Sequence, residues 1–253
     1  MNVRKAQAAG LQLLKTIIGG KSVTVTILGG PLKGYKWTFD ATSNNELIFG
    51  MWESNMQSIY ARYLRPGNVV FDLGAHQGFL AMLAGRLVGD EGNVYAFEAS
   101  PTNFSKMTRN IKLNSVCNCT TIHSAVCDYN GSIEFSNSIH DNGNTCVHSS
   151  PYFINQPTVV VPAVSLDEFV RQRELQLPDF MKIDVEGAEY DALKGAECVL
   201  LQKHPLLYLE THNIHNPGID NRCLNYLHGL GYRTVEVIDQ TTDDSMGSYV
   251  MSA

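Results

Sequence analysis

Four carboxylates, Asp72, Glu98, Asp184 and Glu210, each close a short apolar run, and an imidazole, His212, follows the last of them. Around the first, the chain reads Val69-Val70-Phe71-Asp72-Leu73-Gly74-Ala75-His76-Gln77-Gly78, with Gly74 and Gly78 bracketing a tight turn. A glycine there lets a ligand approach the backbone, and a helix that starts after the turn adds free N–H groups. Further on, Val94-Tyr95-Ala96-Phe97-Glu98 repeats the pattern of a short apolar strand ending in an acid. An acid at the carboxyl end of the second strand of a nucleotide-binding α/β sheet grips a ribose diol. These residues therefore point to a nucleoside site.

The elements that must position them alternate from residue 68 onward. Strands are expected at 69–73, 93–98, 120–125, 179–184, 205–210, 232–238 and 247–252, with helices at 78–88, 101–114, 188–201 and 218–230. Ser100 is placed to cap the second helix, with Pro101 at its first position. Ser165-Leu166-Asp167-Glu168 reads as a capping box, and 131–161, rich in Asn, Ser and Gly, as a hairpin-like stretch. Such alternation predicts a mainly parallel sheet with helices on both faces, which binds ligands beyond its strands' carboxyl ends. All four carboxylates fall on that edge. Upstream, an amphipathic helix over 3–18 precedes a hairpin of Val23–Leu28 and Tyr35–Phe39 around Gly29-Gly30-Pro31. A helix over 52–64 is then stopped by Arg65-Pro66-Gly67. This divides the chain into a lead-in, 1–66, and a main domain, 67–253.

At 253 residues and 44% hydrophobic the chain can bury a full core, and its net charge of −6 argues against a general nucleic-acid binder. No apolar run reaches the ~18 residues of a membrane span. Leu11 to Ile18, interrupted by Lys15, makes a poor signal peptide. The cysteines, at 117, 119, 127, 146, 198 and 223, form no C-x-x-C pair, so reduced thiols and a cytoplasmic location are expected. The helix at 3–18 is suited to pack on the domain or on a second copy, which leaves a homo-oligomer open.

The turn Asp-x-Gly-Ala-x-x-Gly lacks the third glycine of a G-x-G-x-x-G pyrophosphate cradle, which disfavours a dinucleotide. It resembles instead the first motif of class I S-adenosylmethionine-dependent methyltransferases. A sharper match is Met181-Lys182-Ile183-Asp184-Val185-Glu186-Gly187-Ala188-Glu189, followed by Leu193-Lys194-Gly195-Ala196. With Val164-Ser165-Leu166-Asp167 upstream and Leu209-Glu210-Thr211-His212 downstream, it resembles the FkbM methyltransferase family from about Glu53 to Tyr232. The resemblance implies a Rossmann-like fold of seven strands, the last antiparallel. It also implies S-adenosylmethionine as methyl donor and an O-methyltransferase acting on a sugar, glycan or other small-molecule hydroxyl. His76 stands where many relatives carry Asn.

On that reading the cofactor residues are Asp72, Gly74, Ala75, Gly78, Phe79, Glu98, Ala99, Ser100, Ala125, Val126 and Asp184. Asp72 orients the turn or the methionine amino group, and Glu98 accepts both ribose hydroxyls. A backbone N–H near Ala125 contacts adenine, with Phe97 or Phe104 as an apolar wall. Glu53 either covers the cofactor's carboxyl end or serves the helix dipole. Lys182, Asp184, Glu186, Glu210 and His212 are the catalytic candidates. Asp184 serves as base, ion ligand or ammonium partner, and Lys182 as catalyst or as counter-charge to the acids. His212 is the candidate general base, since an imidazole with its ordinary pKa of ~6.5 suits proton removal near neutrality. Asp184, Glu210 and His212 could together hold one Mg²⁺. The acceptor wall is expected from 136–156, including Asp141 to Thr145 and Tyr152, and from His212 to Gly218. N-methylation, an NAD-dependent oxidoreductase and a non-catalytic binding module are the alternatives.

Overall fold

Val69–Leu73 (β3) is buried at every position, as a central strand covered on both faces must be. It pairs in parallel with Asn93–Glu98 (β4) on one side and with Phe180–Ile183 (β9) on the other. Cys119–His123 (β5) extends the sheet beyond β4, and Leu206–Thr211 (β10) extends it beyond β9. Gly247–Ser252 (β12) runs antiparallel between β10 and Arg233–Gln240 (β11), giving seven strands in the order β5-β4-β3-β9-β10-β12-β11. The chain steps outward from β3 in one direction and returns to continue from β9 in the other. A crevice opens where such strand order reverses. The computed structural model describes residues 15–17, 19, 21–41, 43–136, 158–241 and 245–253.

Each sheet face carries its own core. On one, Phe71, Leu73, Phe97, Met181 and Ile183 meet Phe169, Leu193 and Leu227. On the other lies the helix Phe79–Val88, with eight of its residues buried because a hairpin covers its outer side. That hairpin pairs Val23–Thr26 (β1) with Lys36–Phe39 (β2), and Trp37 meets Phe79 edge-on at 6.1 Å between ring centroids. The helix Ser54–Tyr63 closes this core with Met56, Ile59 and Tyr60. Among the described residues no helix is long and apolar enough to cross a membrane.

Three local expectations are corrected. The strand expected at 120–125 ends at His123. The chain bends at Ser124, whose hydroxyl donates to Pro162 O at 3.0 Å, and Ala125–Cys127 (β6) joins another sheet. There β6 pairs with Thr158–Ser165 (β8), which pairs antiparallel with Gly131–Ser136 (β7). The helix expected over 188–201 breaks into Glu189–Lys194 and Glu197–Lys203. The β6 backbone presses on Gly195, where a Cβ would lie 1.9 Å from Cys127 O. The third correction is the capping box of the helix Leu166–Arg173. Ser165 Oγ donates to Gly195 O, Glu168 pairs with Arg171, and the Asp167 carboxylate accepts from Cys198 N and Val199 N, each at 2.9 Å. Two helix ends thus satisfy each other across the gap at Gly195. The helix expected at 3–18 and the acceptor wall expected at 136–156 fall almost wholly outside the described residues.

Candidate active site

After β3 the chain turns sharply at Gly74, which has φ +82°. A Cβ there would lie 1.8 Å from Asp184 O, so the turn nests directly on the end of β9. Gly74 N and Ala75 N both donate to Phe97 O, at 3.0 and 2.8 Å, tying the turn to β4 as well. His76 follows with φ +51°, a left-handed conformation that Asn and His enter more readily than most residues. Its backbone N–H donates to Glu98 Oε2 at 2.7 Å, and Ser100 N donates to Oε1 at 2.8 Å. Ser100 Oγ in turn accepts from Asn103 N and caps the helix Pro101–Leu113. Burial pushes the Glu98 carboxyl up to about 8, against the lowering effect of the two N–H groups.

A cavity opens here, beyond the carboxyl ends of the central strands. Gly74, Ala75, His76 and Phe79 line it on the turn side, and Glu98, Ala99, Ser124, Ala125 and Val126 on the next. Phe97, Phe135 and Trp52 supply apolar wall, while Glu53 lies toward the opposite end with Lys182, Asp184, Glu186 and Glu210. Phe104 does not border the cavity; its ring stacks on His123 at 4.7 Å.

The acidic end is organised around two buried cations. Lys182 Nζ lies 2.9 Å from Asp184 Oδ2 and 3.5 Å from Asp72 Oδ1, and donates to Gly74 O at 2.9 Å. Burial works against its charge, but the two aspartates outweigh it and the amine stays protonated. Asp72 is wholly buried beneath the turn and does not border the cavity, so it supports Gly74 through Lys182. Burial raises the Asp184 carboxyl, yet Lys182 and His212 outweigh that and hold it below the usual range. Burial and the neighbouring Asp184 push Glu210 up to about 7, while its Oε2 accepts from Tyr208 Oη at 2.8 Å.

His212 stands behind this end, outside the cavity lining. Its Nδ1 is 2.8 Å from Glu189 Oε1, and its Nε2 faces Glu186 Oε2 at 3.5 Å and Asp184 Oδ1 and Glu210 Oε1 at 3.7 Å each. Burial alone would lower the imidazole, but the bond to Glu189 and the surrounding carboxylates raise it to about 10. The carboxylates around it favour the charged imidazole over the neutral base expected of it. The ordinary value belongs to a solvated ring, and this one is ringed by acids.

Of the residues singled out from sequence, the cavity brings together Gly74, Ala75, Phe79, Glu98, Ala99, Ala125, Val126, Lys182, Asp184, Glu186 and Glu210. Asp72, Gly78, Ser100 and His212 form its support behind the wall. At Gly78, φ +87°, a Cβ would lie 2.9 Å from Met107 Cγ, so its requirement is helix packing. Sequence reasoning missed Trp52, Leu80, Asn103, Phe135, Val185 and Ala188 as wall residues, and Glu189 as the partner of His212. Glu189 had a signal, because it ends the acidic string that begins at Asp184. Phe135 had none, since β7 reaches the cavity only through pairing.

A family model described as the Methyltransferase FkbM domain matches residues 72–234. The hexuronic acid methyltransferase AglP of Haloferax volcanii is 26% identical over 178 residues, covering 70% of this chain and 68% of the relative. The crystal structure of an FkbM methyltransferase from Methylobacillus flagellatus KT matches 78% of this chain with a TM-score of 0.52 and 16% identity. This chain spans half the length of that protein, with 50% of it covered. Trm5b of Pyrococcus abyssi matches 92% of this chain and 56% of its own, at a TM-score of 0.51 and 14% identity. The last two similarities are of fold alone.

Proposed function

Because the chain belongs to the FkbM family of S-adenosylmethionine-dependent methyltransferases, we propose that it methylates a hydroxyl group of a sugar or glycan. S-adenosylmethionine, when bound, supplies a methyl group on a sulfonium: the acceptor oxygen gains the carbon, and sulfur keeps the electron pair. Such a displacement asks the protein for position and electrostatics more than for covalent chemistry.

The observation that carries the reading is Glu98. Its carboxylate borders the cavity, is held in place by two backbone N–H groups, and has lone pairs left for a ribose diol. Gly74 lines the cavity and, without a Cβ, lets the turn nest on the end of β9, and Lys182 fixes that turn through Gly74 O. Ala125 and Val126, with Phe97 and Phe135 nearby, offer a flat apolar slot suited to adenine. At the other end Asp184, Glu186 and Glu210 give the acceptor hydroxyl oxygens to donate to, and one of them takes its proton. Trp52, which also lines the cavity, suits stacking against a sugar ring. The similarity to a hexuronic acid methyltransferase supports the sugar class.

Calorimetry with S-adenosylhomocysteine tests the cofactor site. Glu98→Ala removes two charge-assisted hydrogen bonds of about 1.5–3 kcal/mol each and is expected to weaken binding at least ~100-fold. Labelled methyl transfer to a panel of neutral sugars, uronic acids and amines tests the acceptor. Label entering amines alone would sink the O-methylation reading, and folded protein that ignores S-adenosylhomocysteine would sink the cofactor site.

A further inference from the structure

The buried ring of His212 lies among the carboxylates of the acceptor end. It is 6% exposed, its Nδ1 is committed to Glu189, and among the described residues its Nε2 makes no hydrogen bond. That nitrogen nevertheless points at three carboxylate oxygens, all at 3.5–3.7 Å. This is too long for a hydrogen bond but suits ligands about 2.1 Å from one shared first-row ion. Asp184, Glu210 and His212 each offer one ligand atom, and the three atoms lie within 4.8 Å of one another.

Each of these groups is also held from behind by its other atom. Asp184 Oδ2 takes Lys182, Glu210 Oε2 takes Tyr208 Oη, and His212 Nδ1 meets Glu189. Glu189 is itself fully buried and accepts from Gly187 N at 2.8 Å, so the carboxylate cannot swing away. A carboxylate behind the second nitrogen of an imidazole is the usual outer support of a metal-bound histidine.

We propose that Asp184 Oδ1, Glu210 Oε1 and His212 Nε2 hold a divalent first-row transition ion at the acceptor end of the cavity. One imidazole beside two carboxylates selects an ion of the Mn²⁺ or Zn²⁺ type over Mg²⁺, which prefers all-oxygen sites. The ion offsets the charge of the clustered acids and makes a neighbouring hydroxyl more acidic. With Asp184 and Glu210 committed as ligands, Glu186, which borders the cavity, is the carboxylate left to take the hydroxyl proton. The ion's use rests on the proposed methyl transfer; its binding does not.

The test titrates Mn²⁺ into the EDTA-treated full chain with no cofactor or acceptor present, read by paramagnetic resonance and calorimetry. S-adenosylhomocysteine binding is measured separately. One ion per chain is expected, bound at least tenfold more tightly than Mg²⁺. His212→Gln and Glu210→Gln should each abolish it, and Glu189→Gln should weaken it about 10–100-fold. In each variant S-adenosylhomocysteine affinity should stay within about threefold, which shows the fold intact. Protein that binds S-adenosylhomocysteine yet ignores millimolar Mn²⁺ and Zn²⁺ would overturn the inference. So would Mn²⁺ binding that survives His212→Gln, or Mg²⁺ bound as tightly as Mn²⁺. Ion binding without S-adenosylhomocysteine binding would sink the proposed function and leave the metal site standing.

Discussion

Replacing Gly74 by alanine perturbs the site through a single carbon. The residue sits at φ +82°, where an L side chain costs about 1–2 kcal/mol. The new Cβ starts 1.8 Å from Asp184 O and must retreat to at least 3.0 Å. Because the oxygen is main chain, β3 and β9 have to part where Asp184 N donates to Leu73 O at 3.1 Å. Losing that bond adds about 1 kcal/mol, for a total of about 2–3 kcal/mol. In a chain of this size that lowers Tm by about 4–12 °C. A displacement on the order of 1 Å at the reacting centre slows transfer about 100-fold. Gly67→Ala is the control. Gly67 has φ +84° and nothing within 4 Å of where a Cβ would stand, so it isolates the backbone term. It should cost only about 1–2 kcal/mol and leave methyl transfer unchanged. Thermal denaturation and single-turnover transfer on both variants decide the matter. If Gly74→Ala loses no more stability than Gly67→Ala and transfers at the wild-type rate, the cradle argument is wrong.

The other predictions concern charge. Lys182→Met leaves the wholly buried Asp72 without its cation and should cost about 3–5 kcal/mol in urea denaturation. Adding Asp72→Asn should recover part of that loss, and no recovery would remove Lys182 as the counter-charge. Glu98 sets a pH dependence. Its folded carboxyl is raised from 4.5 to about 8, so between those values the folded, cofactor-free chain keeps a proton that the unfolded chain has released. This contribution to stability is fully present below pH 4.5 and is lost as pH rises through about 8, by at most ~1.4 kcal/mol per unit. Glu98→Gln should flatten the fall, and parallel profiles for the two proteins would refute the assignment.

Much of the fold was readable because its signals are local. Buried parallel strands need unbroken apolar runs such as Val69–Leu73 and Phe180–Ile183, and each helix carries its own stop or cap, as Ser100 does. The acids at strand ends were placed on one edge by direction alone, since parallel strands bring like ends together. What failed locally failed for tertiary reasons. The helix through Gly195 was broken by the backbone of β6, and Ser165 gave its hydroxyl to Gly195 O instead of to its own helix.

At the site the amino-acid order determined which chemical groups are present: a glycine turn, an acid for a diol, a string of acids, and a histidine. Only the packed molecule decided what each group does. Asp72 serves from beneath the turn because Lys182 lies between it and Asp184, and the proton affinity of His212 is raised because four carboxylates converge on it. Side-chain type is written one residue at a time, whereas proton affinity depends on burial and on every charge within a few ångströms. Those neighbours come from strands and loops far apart in the chain.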